Sequence, residues 1–323
     1  MNLLHDIYYS KEYISLYIKE NEEIFEFKYE SGSNIFYTIS IKRPIFKIGD
    51  TLLDEIYYDL ETAYGYGGFY TNSNDESFIR EAILKYEAKC HSNNIIAEFI
   101  RFHPFNNFPI EYSKFLDFNI EDRDVVVKDI SIDILSSYKS KIRNSIKRAT
   151  EKVTVQESTN INIFMELYNK TMEKNSADQF YLFDKSYYQN LLDNPLVKLY
   201  EVVYDETIIA MGFFMYGKDI AHYHLSANSE LSYSLNSNYA LLHHAFNEAY
   251  QQKRNYFLLG GGTTSHDDDP LFKFKKKFSQ ETKPFYISGK IYNQEVYNKY
   301  IELWDEKSSI DIKYFLKYRL ETR

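Results

Sequence analysis

The chain has 323 residues, of which 44% are apolar and 26% charged, a composition typical of soluble globular proteins with room for two domains. Its 11 glycines and 6 prolines are too few for a low-complexity chain. A formal net charge of −9 excludes a broadly basic surface of the kind that binds nucleic acid without sequence preference.

The sequence carries no signature of a membrane protein. No window approaches the roughly 18 uninterrupted apolar residues of a membrane helix, and Met1–Asp6 lacks a basic region followed by an apolar one. We therefore expect a cytoplasmic protein without a membrane span. The single cysteine, Cys90, falls in a predicted helix without an obvious catalytic partner, so we expect a structural thiol rather than a nucleophile.

The first half of the chain begins with strands. Apolar and polar side chains alternate over Glu23–Glu30 and Asn34–Ile41, with a Ser-Gly-Ser turn between them, which predicts an antiparallel hairpin. A helix is predicted over Asp75–His91, with apolar side chains on one face. Strands are predicted at Ile95–Phe102 and Val125–Val127.

The second half mixes helices and strands. After a helix from Ile134 to Ala149, the predicted elements are the strand Val153–Val155, the helices Ile161–Lys174 and Ser186–Leu192, the strands Lys198–Tyr204, Thr207–Tyr216 and Ile220–Ser226, the helix Asn238–Lys253, the strand Tyr256–Leu259, a helix ending at Phe278, the strand Phe285–Gly289 and a terminal helical region. This mixture predicts an α/β fold with mixed sheets. Both halves follow the order meander, helix, strand, so we expect a tandem duplication of one domain type.

The most informative stretch is the glycine loop, Gly260–Gly262, which follows an apolar strand and precedes the acidic run Asp267–Asp269. Three consecutive glycines cost backbone entropy, so they indicate a sharp turn or the close approach of a ligand. A flexible loop is the alternative interpretation.

A basic stripe recurs at every fourth position of a helix predicted over Ser137–Lys152. Lys139, Arg143 and Lys147 share one face of this helix, which indicates a phosphate clamp in an otherwise acidic protein. The alternative is a solvent-exposed amphipathic helix. A second basic cluster comprises Lys273, Lys275, Lys276 and Lys277.

Two further features carry both functional and structural interpretations. The helix Asn238–Lys253 follows a run of capping residues, and its first N–H groups would suit an anion, although capping alone explains the run. His222 and His224 lie two residues apart in a strand, so their imidazoles face the same side. Without a third ligand nearby in sequence, a general base or a polar core contact is favoured over a metal site, and we expect no metal.

Six motifs, in their order along the chain, resemble the Fem-like branch of the GNAT acyltransferase superfamily. They are Tyr64–Gly68, Glu98–Pro104, Lys141–Ala149, His222–Ser226, Leu259–Gly262 and Leu271–Phe278. The resemblance implies tandem GNAT-like domains, which we place at residues 1–136 and 137–323. It also implies transfer of an acyl or aminoacyl group onto an amine.

The resemblance implies roles for individual residues. Arg143, supported by Lys139 and Lys147, would hold phosphates of the acceptor, and Lys275 of the Phe-Lys signature would lie near the donor or the developing oxyanion. The acceptor side of the first domain would be lined by Tyr66, Arg101 and His103. The donor side would comprise Asn236, Ser237, Asn238, Gly260, Gly261 and Gly262.

The reaction that the resemblance implies requires few catalytic side chains, because substrate positioning and backbone donors to the oxyanion supply much of the rate acceleration. The amine must still lose a proton. The candidates for the base are His224 and Asp268, with His222 behind them.

The sequence departs from simple GNAT enzymes at one point. The glycine-rich loop that cradles the coenzyme A pyrophosphate is absent, and Ser234–Asn238 stands in its place before the helix. Fem-like enzymes also lack that loop. The long helical arm for tRNA found in several bridge-forming members is not visible either, which together with the negative charge weighs against a tRNA donor.

Three hypotheses follow. The leading one is a cytoplasmic N-acyltransferase with acyl-CoA as co-substrate, without a permanently bound cofactor, that acts on an amine of a sugar or of a cell-envelope or surface-polysaccharide precursor. The second is an aminoacyl-tRNA-dependent aminoacyltransferase of the peptidoglycan-bridge type, with tRNA as the one nucleic-acid partner. The third is a catalytically silent module that binds a glycan or a nucleotide.

Overall fold

The computed structural model describes residues 1–174, 182–310 and 312–322. The helices in this part of the chain are α1 (Lys11–Ser15), α2 (Glu76–Ser92), α3 (Phe108–Glu111), α4 (Ser140–Thr150), α5 (Ile161–Lys174), α6 (Lys185–Asp193), α7 (Glu230–Leu235), α8 (Ser237–Gln251), α9 (Pro270–Lys275) and α10 (Gln294–Asp305). The strands are β1 (Glu23–Ser31), β2 (Asn34–Ile48), β3 (Thr51–Glu61), β4 (Tyr70–Thr71), β5 (Ile95–Arg101), β6 (Phe118–Asp129), β7 (Thr154–Ser158), β8 (Val197–Tyr204), β9 (Thr207–Tyr216), β10 (Ile220–Asn228), β11 (Tyr256–Gly260) and β12 (Thr282–Ile291). The predicted class, α/β with mixed sheets, is confirmed.

The chain forms two compact units. The flanking unit comprises Asn2–Leu4, Tyr8–Arg123 and Pro284–Arg323. The central unit comprises Met1, His5–Ile7 and Asp124–Lys283.

In the flanking unit, β1 and β2 form the predicted hairpin. Ser31 pairs with Asn34, and Gly32 adopts a φ of 61° in the two-residue turn between them. The strand order is β1-β2-β3-β5-β12, with β4 also paired to β2. The pattern predicted no strand over β3, because many of its side chains are exposed; pairing with β2 on one side and β5 on the other stabilises it.

The helix predicted over Asp75–His91 is α2. The Asp75 carboxylate accepts a hydrogen bond from the Ser77 N–H and so caps the helix. Its apolar face, which includes Ile79, Ala82 and Tyr86, is buried in the core of this unit. The same core contains Cys90, and burial raises the pKa of its thiol. A neutral, buried thiol agrees with the structural role expected for it.

In the central unit, the strand order is β6-β11-β10-β9-β8-β7. The β10–β11 pair is parallel and the other neighbouring pairs are antiparallel. Successive residues of β9 face opposite sides of the sheet. The Phe213 ring lies 4.7 Å from the Phe164 ring of α5, whereas Phe214 joins the core that contains Phe246 of α8. Helices therefore cover both faces of this sheet.

Helix α4 begins later than predicted. The Asp133 carboxylate accepts from the Ser136 N–H at 2.7 Å, and the Ser137 hydroxyl donates to the Ile134 carbonyl at 2.6 Å, so this segment forms a turn. Lys139 is extended, with a ψ of 149°, and the helix starts at Ser140. Lys139 thus precedes the helix on which it was predicted to lie.

The compact units divide the chain differently from the predicted ranges 1–136 and 137–323. The reason is strand pairing: β12 pairs with β5, from Ile287 opposite Arg101 to Ile291 opposite Ala97, so residues from Pro284 onward belong to the flanking unit. The assignment of one GNAT-like domain to each predicted range stays a prediction.

Across residues 1–174, 182–310 and 312–322, no helix combines the length and the apolar character needed to cross a membrane.

Candidate active site

The two parallel strands of the central unit separate towards their carboxyl ends. β10 and β11 pair from Ile220–Tyr256 to His222–Leu258. Beyond this point β10 carries a β-bulge between Tyr223 and Leu225, and β11 ends at Gly260 with a φ of 78°. We call the gap beyond His222 and Leu258 the strand opening. Separating strands direct backbone N–H and C=O groups into the space between them, where a ligand can use them.

Lys275 lies at the strand opening. Its side chain is buried, with the residue 7% exposed, and its Nζ donates a hydrogen bond to the Gly261 carbonyl at 2.7 Å. The same Nζ lies 5.7 Å from the centroid of the Tyr223 ring. Since Gly261 follows β11 and Tyr223 belongs to β10, one ammonium group lies near both strands where they separate.

Asp269 fixes the connection between the glycine loop and α9. Its carboxylate accepts hydrogen bonds from the backbone N–H and the hydroxyl of both Thr263 and Thr264, and it caps α9 by accepting from the N–H groups of Leu271 and Phe272. Burial opposes ionisation, but the hydrogen bonds from Thr263, Phe272 and Thr264 hold the pKa of Asp269 well below its usual range. The carboxylate is therefore charged at neutral pH.

The three residues of the glycine loop have different structural roles. Gly260 occupies the left-handed region, and a Cβ on Gly262 would collide with the Asp269 carboxylate. The Gly261 carbonyl is the acceptor for Lys275. Lys275 of α9 and the cap residue Asp269 thus contact the loop at Gly261 and Gly262. These contacts favour the close approach of a ligand to the loop backbone over the interpretation of a flexible loop. The sequence offered Asp268 of the acidic run Asp267–Asp269 as a candidate for the base, whereas the Asp-Pro step before α9 is the signal that singles out Asp269 as its cap.

Asp268, a candidate for the base, is exposed. No hydrogen bond or ion pair connects it to any residue that the structure describes. Its neighbour Asp267 lines a groove that is described below. The acidic run therefore splits into one buried anchor and two solvent-facing carboxylates.

The two histidines of β10 are in polar contacts inside the central unit. His224 Nε2 lies 2.8 Å from the Tyr187 hydroxyl of α6, and His222 Nε2 lies 2.8 Å from the Asp6 carboxylate, with His222 only 1% exposed. Burial, with a smaller effect of His222, lowers the pKa of His224 to about 3. A base of this kind works best with a pKa near the operating pH, so the geometry gives His224 less support as the base than the sequence did.

We expect the substitution His224→Gln to flatten the pH dependence of folding stability. Histidine in an unfolded chain titrates near 6.5 and His224 in the folded chain at about 3, so the unfolded state binds the extra proton and stability falls as pH drops through this window. Removing one such proton should remove a slope of up to about 1.4 kcal/mol per pH unit. Urea unfolding of both proteins across this pH range measures the difference. Equal slopes would mean that His224 titrates alike in both states.

The predicted phosphate clamp is only partly assembled. Lys139, Arg143 and Lys147 are all exposed. The Arg143 guanidinium donates to the Tyr138 carbonyl at 2.8 Å and to the Ser140 hydroxyl at 3.1 Å, so it folds back onto the start of its own helix. Lys139 lines the groove described next, whereas Arg143 and Lys147 do not line it.

That groove, of about 650 Å³, lies between the start of α4, the first turn of α8 and the end of α9. We call it the basic groove. It is lined by Asp124, Lys139, Lys141, Ile142, Ser145, Tyr239, Asp267, Phe272, Lys273, Lys276, Lys277 and Gln280. Five lysines and two aspartates give it a net positive charge in a protein of charge −9. The structure therefore brings Lys139 together with the second basic cluster rather than with Arg143 and Lys147.

The predicted donor-side residues at the start of α8 belong to the junction between two helices of the central unit. The sequence did not predict α7, which ends at Asn236 in the left-handed conformation with a φ of 55°. Ser237 is buried and its hydroxyl contacts the Ser232 hydroxyl and carbonyl, while Asn238 is half-buried in the first turn of α8. Ser237 thus joins α7 to α8.

The predicted acceptor-side residues lie in the flanking unit. The Tyr66 and His103 rings meet at 5.6 Å, and burial raises the pKa of the Tyr66 hydroxyl. The His103 Nδ1 accepts from the Phe105 N–H at 3.2 Å. Arg101 forms an ion pair with Glu61 at 2.7 Å and donates to a backbone carbonyl. The structure therefore brings Tyr66 and His103 together and binds Arg101 to a carboxylate.

Comparisons with known proteins show which domain type and which fold this chain resembles. Residues 136–275 match the family model described as an acetyltransferase (GNAT) domain. The curated proteins contain no match by sequence. Among solved structures, FemX is similar with a TM-score of 0.71 and 13% identity, over 92% of this chain and 94% of FemX. The C-terminal domain of a lysylphosphatidylglycerol synthetase candidate from Agrobacterium fabrum is similar with a TM-score of 0.51 and 14% identity, over 88% of both chains.

Identities this low show a common fold, and the family model adds the domain type. The Fem-like fold predicted from the motifs is confirmed, and the predicted GNAT domain type is confirmed over residues 136–275. Residues 136–275 thus match an acetyltransferase (GNAT) domain, and the chain has the fold of FemX.

Proposed function

We propose that the protein is an N-acyltransferase that moves an acyl group from a thioester, acyl-CoA, to an amine of a sugar or of a cell-envelope or surface-polysaccharide precursor in the cytoplasm. The observation that carries the proposal is the ammonium of Lys275 at the strand opening, bonded to the Gly261 carbonyl and adjacent to Tyr223. An acyl carbonyl in this opening would have backbone donors on two strands and a cation beside it.

The proposed step balances without a further reactant. The amine nitrogen attacks the thioester carbonyl carbon, the C–S bond breaks, and the proton lost by the amine ends on the departing thiolate. The carbonyl oxygen carries negative charge in between. Lys275 and the backbone N–H groups of the strand opening stabilise this charge, and fixed donors in a buried site act strongly there.

Three groups are candidates for accepting the proton of the amine. His224 is neutral at pH 7 but weakly basic, and its bond to Tyr187 holds it beside the bulge of β10. A solvent-facing carboxylate such as Asp268 remains a candidate because it is exposed on the loop that Asp269 anchors. Loss of the amine proton to water is also compatible with a reaction that depends mainly on positioning.

The basic groove favours a second candidate donor, an aminoacyl-tRNA. Five lysines around one groove suit a phosphodiester backbone, and the negative charge of the rest of the protein would limit binding to this surface. The similarity to FemX supports the fold that this candidate requires. A silent binding module, the third hypothesis, requires that no turnover occurs with either donor.

The test is an acyl-transfer assay with acetyl-CoA and a panel of amino sugars, their phosphates and nucleotide-linked amino sugars, followed by release of the coenzyme A thiol. The buried Cys90, the one cysteine of the chain, contributes little background because burial raises its pKa. Acceptor-dependent thiol release with an acylated product of the expected mass would support the proposal. Transfer from aminoacyl-tRNA alone would select the second candidate, and no transfer from either would select the silent module.

A further inference from the structure

We infer that the turn Asp133–Tyr138 is a proton-linked latch over the buried side chain of Lys128. When the latch is closed, it holds the start of α4. When Lys128 carries its proton, opening becomes easier because the ammonium then reaches water. The inference goes beyond the proposed function and does not depend on it, since each step concerns local folding within the central unit.

The first observation is a buried ammonium group without a carboxylate partner. Lys128 lies on β6 and is 3% exposed, and its Nζ donates a hydrogen bond to the Ser137 hydroxyl at 2.6 Å. Over residues 1–174, 182–310 and 312–322, this hydroxyl is its one hydrogen-bond partner, and no carboxylate forms an ion pair with it. A buried charge without a counterion costs free energy, and contact with water would remove that cost.

The turn covers this ammonium on one side. The Lys128 Nζ lies 4.8 Å from the centroid of the Tyr138 ring, and on the other side it lies 5.8 Å from the Phe246 ring of α8. The Ser137 hydroxyl accepts from Lys128 and donates to the Ile134 carbonyl at 2.6 Å, so a single hydroxyl joins the lysine to the turn. Movement of the turn would therefore expose the ammonium while β6 and α8 stay packed.

The turn itself is weakly held. Its backbone hydrogen bonds from Ser137 to Asp133 and from Tyr138 to Leu135 are long, at 3.3 Å and 3.4 Å. The side chains of Ile132 and Leu135 are half exposed. Segments with few buried side chains and solvent-exposed hydrogen bonds open locally at a small cost in free energy. This turn can therefore open without unfolding of the central unit.

The latch is bonded to a predicted site residue. The Arg143 guanidinium donates to the Tyr138 carbonyl at 2.8 Å, and Tyr138 is the last residue of the latch. Opening withdraws this carbonyl, so Arg143 is no longer held against the start of its own helix. The latch thus connects a proton in the core of the central unit to the position of Arg143 on α4.

The direction of the pH dependence follows from burial. Burial lowers the pKa of Lys128 to about 8, although the nearby Asp129 raises it. In the open latch the ammonium is in water, where a lysine titrates near 10.4. The open form therefore binds the proton more tightly than the closed form. Opening is easiest below pH 8 and becomes rarer as the pH rises from 8 towards 10.4.

Other titratable groups lie on the elements around Lys128. They are Asp129 on β6, Asp133 and Tyr138 in the turn, Arg143 on α4 and His243 on α8. Burial, His244 and Lys128 lower the pKa of His243, and burial raises the pKa of Tyr138, so both move away from the range between pH 7 and 9.5. Carboxyl and guanidinium groups in general titrate far from this range. A dependence within it therefore reports Lys128.

The test measures opening through the labelling of a buried thiol. The substitution Ile134→Cys places a thiol at a position in the turn that is 1% exposed, where a thiol reagent reaches it after opening. Labelling rates between pH 7 and 9.5 are divided by those of a peptide of residues 130–138 with the same substitution, which removes the titration of the thiol itself. The parent protein, whose one cysteine Cys90 is buried, gives the background. Urea unfolding gives the rate of global unfolding.

In the Ile134→Cys protein we expect the opening constant to fall about 20-fold from pH 7 to pH 9.5. Adding Lys128→Met removes the titrating group, so opening should be rarer at pH 7 and vary by less than about twofold. The matched control Lys152→Met, at an exposed position of the same unit, should keep the full pH dependence. Ser137→Ala removes the acceptor of the ammonium and should increase opening at pH 7.

The inference is overturned by an opening constant that does not change with pH, or by the same pH dependence after Lys128→Met. Labelling no faster than global unfolding would also overturn it, because the turn would then not open by itself. Acyl transfer enters none of these measurements. A failure of the proposed function would therefore leave the result for the latch unchanged, and a failure of the latch would leave the proposed function standing.

Discussion

Replacing Lys275 by Met is expected to lower kcat for acyl transfer by about two to three orders of magnitude, with a smaller change in KM. Methionine keeps much of the volume of the side chain but removes the ammonium that bonds to the Gly261 carbonyl and lies beside Tyr223. A charge that stabilises the oxyanion acts mainly in the transition state, so its loss affects kcat more than substrate binding. Steady-state kinetics with acetyl-CoA and the acceptor identified in the panel measure both constants.

The matched control for this prediction is Lys152→Met, at an exposed position of the same unit just after α4. It should leave kcat within about twofold. The Lys275 variant must also be compared with wild type by thermal unfolding, because Lys275 is 7% exposed and bonds to the glycine loop. If the folded Met variant keeps kcat within about threefold of wild type, Lys275 has a structural role and the proposed chemistry at the strand opening is wrong.

Replacing Asp269 by Ala is expected to lower the free energy of unfolding by about 2–4 kcal/mol. The substitution removes the cap of α9 and leaves the N–H groups of Thr263 and Thr264 without their acceptor. Since Asp269 joins the loop to the helix that carries Lys275, kcat should fall as well. Urea unfolding monitored by circular dichroism gives the stability difference.

Asp268 supplies the control, because it is the exposed neighbour of Asp269 in the same run. Asp268→Ala should change the free energy of unfolding by less than about 0.5 kcal/mol. A large loss of kcat in the Asp268 variant, with stability unchanged, would instead identify Asp268 as the base. Equal stability losses in the two variants would contradict the anchoring role of Asp269.

The Asp269 contribution should also depend on pH in a defined direction. Hydrogen bonds lower the pKa of this carboxyl in the folded chain below its value in the unfolded chain, near 3.9. The unfolded state therefore takes up the proton first as the pH falls, and the stabilisation is present above about pH 4 and is lost below it. The difference between wild type and Asp269→Ala should shrink below that pH and stay constant above it.

Short-range pattern predicted most of the secondary structure. The β1–β2 hairpin follows from alternation around a Ser-Gly-Ser turn, and α2 follows from helical periodicity after Asp75. Both signals lie within a few residues of the element that they specify. The missed strand β3 depends on distant contacts, because its two neighbouring strands stabilise it. The late start of α4 has a local cause: hydrogen bonds of Asp133 and Ser137 fix a turn before it, which the helical periodicity did not reveal.

The residues of the candidate site also divide into those that local sequence patterns identified and those that they did not. The sequence singled out the glycine loop and Lys275, because glycine repeats and the Phe-Lys motif are local patterns, and the family resemblance gave them a shared function. It could not pair Lys139 with Lys273, Lys276 and Lys277, which lie far along the chain. Helical periodicity compares positions on one helix, so it favoured Arg143 and Lys147, which do not line the groove.

The sequence by itself determined the fold class, the GNAT domain type that residues 136–275 match, and the loop that forms the centre of the candidate site. Tertiary structure decided which side chains work together there: Asp269 rather than Asp268 anchors the loop, and β12 joins the flanking unit. It also decided the chemical state of His224, whose pKa is lowered by burial. These properties depend on contacts between residues that come together only after folding. Local sequence patterns carry no information on such contacts, so they predict neither hydrogen-bond partners nor burial nor the grouping of charges.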